Sequence, residues 1–175
     1  QSINLYNQLA NHKLFNKSVN FGLKRIKLAL SLLGHPEKKL KNVISVIGES
    51  GKFTTLFSLK SFIEANNQKV TAHISPSIQD IKERFYMSKK YLTHNEIKKT
   101  IKKIEKLNIS LTVFECLTLV YIINASKINV DYNIQETGAL WRLDSNNIND
   151  FPIIQICTNI NNCLLYTSPS PRDIP

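Results

Sequence analysis

Apolar residues recur at three- and four-residue steps between Val19 and Leu33, at Leu23, Ile26, Leu30 and Leu33, and this spacing predicts an amphipathic helix. Gly34 followed by His35-Pro36 ends it, because glycine tolerates a left-handed exit and proline cannot continue a helix. The β-branched run from Lys41 to Ile47 predicts a short buried strand. A tight turn over residues 48–51, a helix from Lys52 to Asn66 and a second strand from Lys69 to Ile74 follow. Ser75 to Phe85 reads as a loop opened by Ser-Pro. Thr93-His94-Asn95-Glu96 and Thr112-Val113-Phe114-Glu115 both have the form of a capping box, in which a threonine and a glutamate satisfy each other's backbone N–H groups. The first opens an alternating Ile/Lys helix to Leu107, and the second an apolar helix to about Ser126. Two further strands are predicted, from Val130 to Gln135 and from Phe151 to Thr158. Strands alternating with helices at this spacing predict an α/β fold with a mostly parallel sheet and helices on both faces.

Composition narrows the class. The chain has 175 residues, 42% of them hydrophobic and 21% charged, the balance of a globular domain. A domain of that size buries roughly 70% of the surface its unfolded chain exposes. The longest apolar run, Leu117 to Ile123, falls well short of the roughly 18 residues of a membrane span, so no membrane partner is expected. No cationic segment followed by an apolar stretch opens the chain, so no secretory signal is expected. Cys116, Cys157 and Cys163 and the histidines His12, His35, His73 and His94 lack metal-ligand spacing, and reduced thiols in a cytoplasmic protein are the plain reading. Residues from Leu164 to Pro175 hold three of the six prolines and read as a non-native tail, while Gln1 marks a start without the initiator. The expected division is a leading helical segment (1–41), a truncated nucleotide-binding domain (42–162) and that tail (163–175).

Lysine and arginine number 23 against 13 aspartates and glutamates, a net charge of +10. This surplus fits an anionic partner: a nucleic acid, a phosphorylated nucleotide or a polycarboxylate. The lysines, including Lys98, Lys99, Lys102, Lys103 and Lys106, stand at helical spacing beside apolar residues, as solvated helix faces do.

The strongest local signal is Val46-Ile47-Gly48-Glu49-Ser50-Gly51-Lys52-Phe53-Thr54-Thr55, which follows a predicted strand and opens a predicted helix. That is the context of a phosphate loop, in which glycines bring backbone N–H groups close to phosphate oxygens and the helix N-terminus adds positive charge. Lys52 would reach the β- and γ-phosphates, and a threonine hydroxyl a magnesium ion. The spacing Gly-x-x-Gly-Lys is two residues shorter than the common form, and an ordinary glycine-rich strand–turn–helix is the competing reading.

The shorter loop resembles the Gly-Thr-Asn-Gly-Lys-Gly-Ser-Thr loop of folylpolyglutamate synthases and dihydrofolate synthases, of the Mur ligase superfamily, with Gly48, Gly51, Lys52 and Thr55 matching. Other motifs resemble that family in the same order. Leu32-Leu33-Gly34-His35-Pro36 is similar to its Leu-Gly-Asn-Pro turn. Ile74-Ser75-Pro76-Ser77-Ile78 with Glu83-Arg84-Phe85 is similar to its Ser-Pro-His-Leu…Glu-Arg-Ile loop. Phe114-Glu115-Cys116-Leu117-Thr118 is similar to its Phe-Glu-x-Leu-Thr helix start. Glu136-Thr137-Gly138 and Arg142-Leu143-Asp144-Ser145-Asn146-Asn147 resemble its Glu-Val-Gly…Arg-Leu-Asp-Ala-Thr-Asn stretch. The chain departs from the pattern at Phe53, Ser77 and Ala139-Leu140-Trp141, and Cys163-Leu164 stand where the family has Asp-His.

The resemblance implies a P-loop NTPase-like α/β/α domain and an ATP-dependent ligase. Such an enzyme joins L-glutamate to dihydropteroate, folate or both through an acyl phosphate, with ATP and Mg²⁺, as a monomer when full length. It implies ATP contacts from Gly48, Glu49, Ser50, Gly51, Lys52, Phe53, Thr54 and Thr55, and metal contacts from Thr54, Ser75 and Glu115. Lys52 and Glu115 are the implied catalytic pair. Ser75, Pro76, Ser77, Arg84, Glu136, Arg142 and Asp144 are the implied substrate contacts. Simpler roles stand beside these: Glu115 as a helix cap, Ser75 as a turn residue, Arg142 and Asp144 as a loop ion pair, His73 as a satisfied core histidine, and Trp141 as packing. The competing functions are another Mur-type ligase acting on cell-wall precursors and a basic nucleic-acid-binding module.

Overall fold

A computed structural model describes residues 15–16, 22–138, 144–148 and 152–159. A five-stranded sheet forms from β2 (Val43–Ile47), β3 (Val70–His73), β4 (Phe85–Met87), β6 (Tyr132–Glu136) and β7 (Ile154–Cys157), in the order β4-β3-β6-β2-β7. Every neighbouring pair is parallel except β3 with β4. Two short strands, β1 (Phe15–Asn16) and β5 (Leu111–Thr112), pair in parallel apart from it. The helices are α1 (Lys24–Leu32), α2 (Lys52–Ala65), α3 (His94–Glu105) and α4 (Val113–Ala125), with 3-10 turns at Pro36–Lys39 and Ile81–Arg84.

The fold is α/β with a mostly parallel sheet, as the alternation of elements requires. Leucines and isoleucines on α2 (Leu56, Ile63) pack against Ile44, Val46, Val70, Ala72 and Ile134. These are alternate positions of β2, β3 and β6, so they line one face of the sheet. On those strands the intervening positions, Ser45, Thr71, His73, Asn133 and Gln135, are polar yet buried. They lie on the opposite face, where Tyr121 of α4 meets Thr71 at 2.9 Å. A larger apolar cluster unites α4 with α3, α1 and β4 through residues such as Leu117, Val120, Ile97, Ile101, Ile26, Leu30 and Phe85. The leading helix therefore shares a core with α4.

Both expected capping boxes form: Thr93 Oγ1 accepts from the Glu96 N–H and Thr112 Oγ1 from the Glu115 N–H, each with the reciprocal bond. A third, Asp80 with Glu83, lies inside the segment read from sequence as a loop, and it opens the turn that leads into β4. Strand β4 was not expected either. It returns antiparallel along β3, pairing Thr71 with Met87 and His73 with Phe85.

Candidate functional site

The loops after β2, β3, β6 and β7 all emerge at the carboxyl edge of the parallel strands, where open α/β sheets bind ligands. Gly48 and Gly51 both take positive φ, 126° and 82°. Gly48 also has no room for a side chain, since a Cβ there would meet the Thr158 hydroxyl and lie 2.8 Å from the Asn159 carbonyl oxygen. The loop is stitched to the end of β7: the Glu49 N–H donates to the Asn159 carbonyl at 2.9 Å, and the Ser50 N–H to Asn159 Oδ1 at 2.9 Å. Those two amides are thus committed to protein acceptors rather than held open.

Helix α2 starts at Gly51 with no side-chain cap. The N–H groups of its first turn, on Lys52, Phe53 and Thr54, are those left without an intrahelical acceptor, and they carry the positive end of the helix dipole. Lys52 folds back over the loop, donating from Nζ to the Gly48 carbonyl at 2.8 Å and the Glu49 carbonyl at 3.1 Å. An uncapped helix start beneath an ammonium group has the donors and charge an anion needs. Thr54 is exposed at this helix start, and Thr55, one residue on, is half-buried. The Phe53 ring is 46% exposed and rests on Phe57, with centroids 5.0 Å apart. It brings no hydroxyl to the loop.

Beside the loop stands a carboxylate. Glu136, the last residue of β6, is buried and accepts from the Ser75 N–H at 3.0 Å. Burial raises its pKa, and the Ser75 N–H, Lys52 and Arg84 counter that shift. Arg84 is itself buried and donates to Ser75 Oγ at 3.2 Å and Ser77 Oγ at 3.4 Å. Pro76 follows Ser75 across a cis peptide bond and is exposed. Asp144 accepts from the Gly138 N–H at 2.9 Å and the Asn146 N–H at 2.8 Å. Its pKa is also raised by burial, against the pull of those amides and of Lys52. Lys52, Ser75, Ser77, Arg84, Glu136 and Asp144 therefore meet at one edge of the sheet.

Glu115 belongs to a different arrangement. It grips Arg25 of α1 with both oxygens, at 3.2 Å to Nε and 3.1 Å to Nη2, and it caps its own helix through the Thr112 N–H at 2.7 Å. No hydrogen bond or ion pair joins it to Lys52, Ser75 or Glu136 among the described residues. Its helix and that of Lys52 pack on opposite faces of the sheet. Arg142, Trp141 and the Ala139-Leu140-Trp141 departure lie outside the described residues, as do Cys163 and the terminal segment. The sequence reading missed Asn159 as the residue that braces the loop, and Arg25 as the partner of Glu115. Both contacts join residues 90 or more positions apart.

A hard cation takes oxygen ligands and keeps several waters. The Glu136 carboxylate and the Ser75 hydroxyl are such ligands. Among the described residues no group of three His, Cys, Asp or Glu side chains stands close enough to form an all-protein cage. A magnesium-type ion fits this sparse set only if phosphate oxygens and water complete its shell.

No family model matches the chain. It is 33% identical over 139 residues to the dihydrofolate synthase/folylpolyglutamate synthase of Escherichia coli (strain K12), covering 78% of this chain and 33% of that protein. It is 28% identical over 158 residues to the protein of the same name from Bacillus subtilis (strain 168), covering 85% and 36%. The structure superposes on E. coli FolC in complex with DHPP and ADP with a TM-score of 0.81 at 31% identity, over 89% of this chain and 37% of that one. A bifunctional folylpolyglutamate synthase/dihydrofolate synthase with Mn, AMPPNP and L-glutamate bound gives a TM-score of 0.72 at 30% identity, over 77% and 34%. The chain spans about a third of the length of the curated relatives it matches. Over that third, in sequence and in fold alike, this chain is a homologue of the dihydrofolate synthase/folylpolyglutamate synthases.

Proposed function

We propose that this chain carries the nucleotide-gripping part of an ATP-dependent ligase that adds L-glutamate to dihydropteroate, to folate or to both. The observation that carries this reading is the meeting of Lys52, an uncapped helix start, Ser75 and Glu136 at one sheet edge. Relatives whose solved structures hold ADP, or Mn with AMPPNP, support the choice of ligand.

In this reading the first-turn amides of α2 and the Lys52 ammonium hold the ATP phosphates, and Asn159 keeps the loop in shape. The domain is of the P-loop NTPase-like, Mur ligase type and begins near residue 42, with α1 packed beneath it. Ser75, Glu136 and Thr54 hold the magnesium ion, and Glu115 serves as the anchor of α4 to α1. When bound, the ion neutralises charge on the phosphoryl group in transfer. Lys52 orients the γ-phosphate toward the carboxylate of the pterin substrate, giving an acyl phosphate and ADP. The amine of glutamate then displaces phosphate and forms the amide. Arg84 and the Ser75–Ser77 turn stand where they can hold the acceptor's carboxylate, and Asp144 fixes the loop beside it. Catalysis at such a site is positioning and charge stabilisation rather than covalent chemistry by the protein. The 175-residue chain alone grips nucleotide without completing the ligation, in a cytoplasmic setting.

Calorimetric titration of the chain with ADP and Mn²⁺ tests the reading. Lys52→Ala is expected to weaken ADP binding at least tenfold, because the charge-assisted contacts to phosphate are lost. Equal affinity in the two chains would remove the phosphate grip, and with it the ligase.

A further inference from the structure

His73 is fully buried, its ring held between Phe85 and Tyr121 with centroids 5.8 and 5.1 Å away and planes 9° and 14° from parallel. Packing alone would be served better by phenylalanine, which has a similar shape and no polar atoms. The imidazole keeps Nε2 buried with no hydrogen-bond partner, a cost no apolar ring would carry. Its other nitrogen accounts for its presence. Nδ1 lies 3.0 Å from Asn146 Oδ1. The Asn146 amide nitrogen donates to the Glu136 carbonyl at 2.8 Å, so Oδ1 is the acceptor and Nδ1 carries the proton.

Asn146 is nearly inaccessible and ties three elements together. Its side chain joins His73 of β3 to the end of β6, and its own N–H binds Asp144 Oδ1 at 2.8 Å. The other Asp144 oxygen receives the Gly138 N–H at 2.9 Å. From His73 the chain of bonds ends at the backbone of Glu136 and the carboxylate of Asp144.

We propose that His73 is a positioning residue for the cation and nucleotide site, fixing the backbone that carries Glu136, and the Asp144 carboxylate, through Asn146. The proposal rests on the ligase reading above. His73 touches no reacting atom. It decides whether Glu136 faces Ser75 and Lys52 in the geometry a cation can use.

Two substitutions separate positioning from packing. His73→Phe keeps the stacked ring and removes the donor. His73→Asn removes the ring but leaves an amide nitrogen where Nδ1 stood. Each 175-residue chain is titrated with ADP, with and without Mn²⁺, and unfolded in urea. The expected result is a crossover. His73→Phe unfolds at the higher urea concentration of the two, yet loses most of the Mn²⁺-dependent gain in ADP affinity, on the order of tenfold for a misplaced metal-site support. His73→Asn unfolds more easily and retains the gain. If the gain instead follows stability, larger in His73→Phe than in His73→Asn, His73 is a packing residue and the proposal falls. A Mn²⁺-dependent gain missing from the unsubstituted chain overturns the ligase reading, and this proposal with it. ADP binding without Mn²⁺ is expected to be equal in all three chains, since Lys52 and the α2 amides are untouched; a loss there in His73→Phe alone also overturns the assignment.

Discussion

The buried imidazole makes the fold sensitive to acid, and the size of the effect follows from its surroundings. His73 faces Phe85, Phe114 and Tyr121, accepts no hydrogen bond at Nε2, and stands near the positive charge of Arg84. Desolvation first, and Arg84 second, lower its pKa from the ordinary 6.5 to about 3, while Asn146 opposes the shift. Below the ordinary value the unfolded chain binds a proton that the folded chain refuses. Stability is therefore fully present above about pH 6.5 and declines as pH falls toward the folded value. Each pH unit within that window costs about 1.4 kcal/mol, so acidification to pH 5 removes about 2 kcal/mol through this one group. Glu136 and Asp144 act in the opposite sense, because their raised values stabilise the fold at low pH and that contribution is lost as pH rises through them. They are present in both chains, so the comparison with His73→Asn, which keeps the donor to Asn146, cancels them to first order. Urea unfolding at pH 7.5 and pH 5 is expected to show a loss about 2 kcal/mol larger in the unsubstituted chain than in His73→Asn. Equal losses would mean that His73 is not held neutral in the folded chain.

Two further outcomes test the frame around the site. Gly48→Ala is expected to cost roughly 3 kcal/mol or more by urea unfolding, since it adds strain at a φ of 126° to a collision with Thr158 and Asn159; a loss below 1 kcal/mol would show that the loop is not pressed against β7. Glu115→Ala is expected to cost about 2 kcal/mol, because it removes the buried carboxylate that pairs with Arg25 and the reciprocal half of a capping box. A midpoint unchanged in thermal unfolding would refute the role of that pair in anchoring α4 to α1.

Local patterns carried most of the elements. The three- and four-residue spacing marked α1, and threonine–glutamate pairs marked the starts of α3 and α4 to the residue. Strand β4 was not legible, because Phe85-Tyr86-Met87 is a uniformly apolar triplet too short to show alternation. The polar face of the sheet was hidden for a related reason. A buried strand is read as continuous apolar residues, and Thr71, Asn133 and Gln135 look like surface positions until the fold buries them, Thr71 beneath Tyr121. His73 was expected to be a satisfied core histidine, and the structure satisfies only one of its nitrogens. Within the site, the loop residues Gly48 to Thr55 were legible as a local motif. The pairing of Ser75 with Glu136 was not, since 61 positions separate them and only the parallel register of β3 with β6 brings them together. Resemblance implied metal contacts from Thr54, Ser75 and Glu115, and the capping box that the sequence also shows at Glu115 is present in the fold.

Glu136, beside Ser75 and Lys52, is the carboxylate proposed to share a cation with the nucleotide. The most direct measurement is the gain in ADP affinity brought by Mn²⁺, compared between Glu136→Gln and Glu115→Gln. The gain is expected to vanish in Glu136→Gln and to persist in Glu115→Gln. A gain that survives in Glu136→Gln and disappears in Glu115→Gln would contradict it and move the cation to the other face of the sheet.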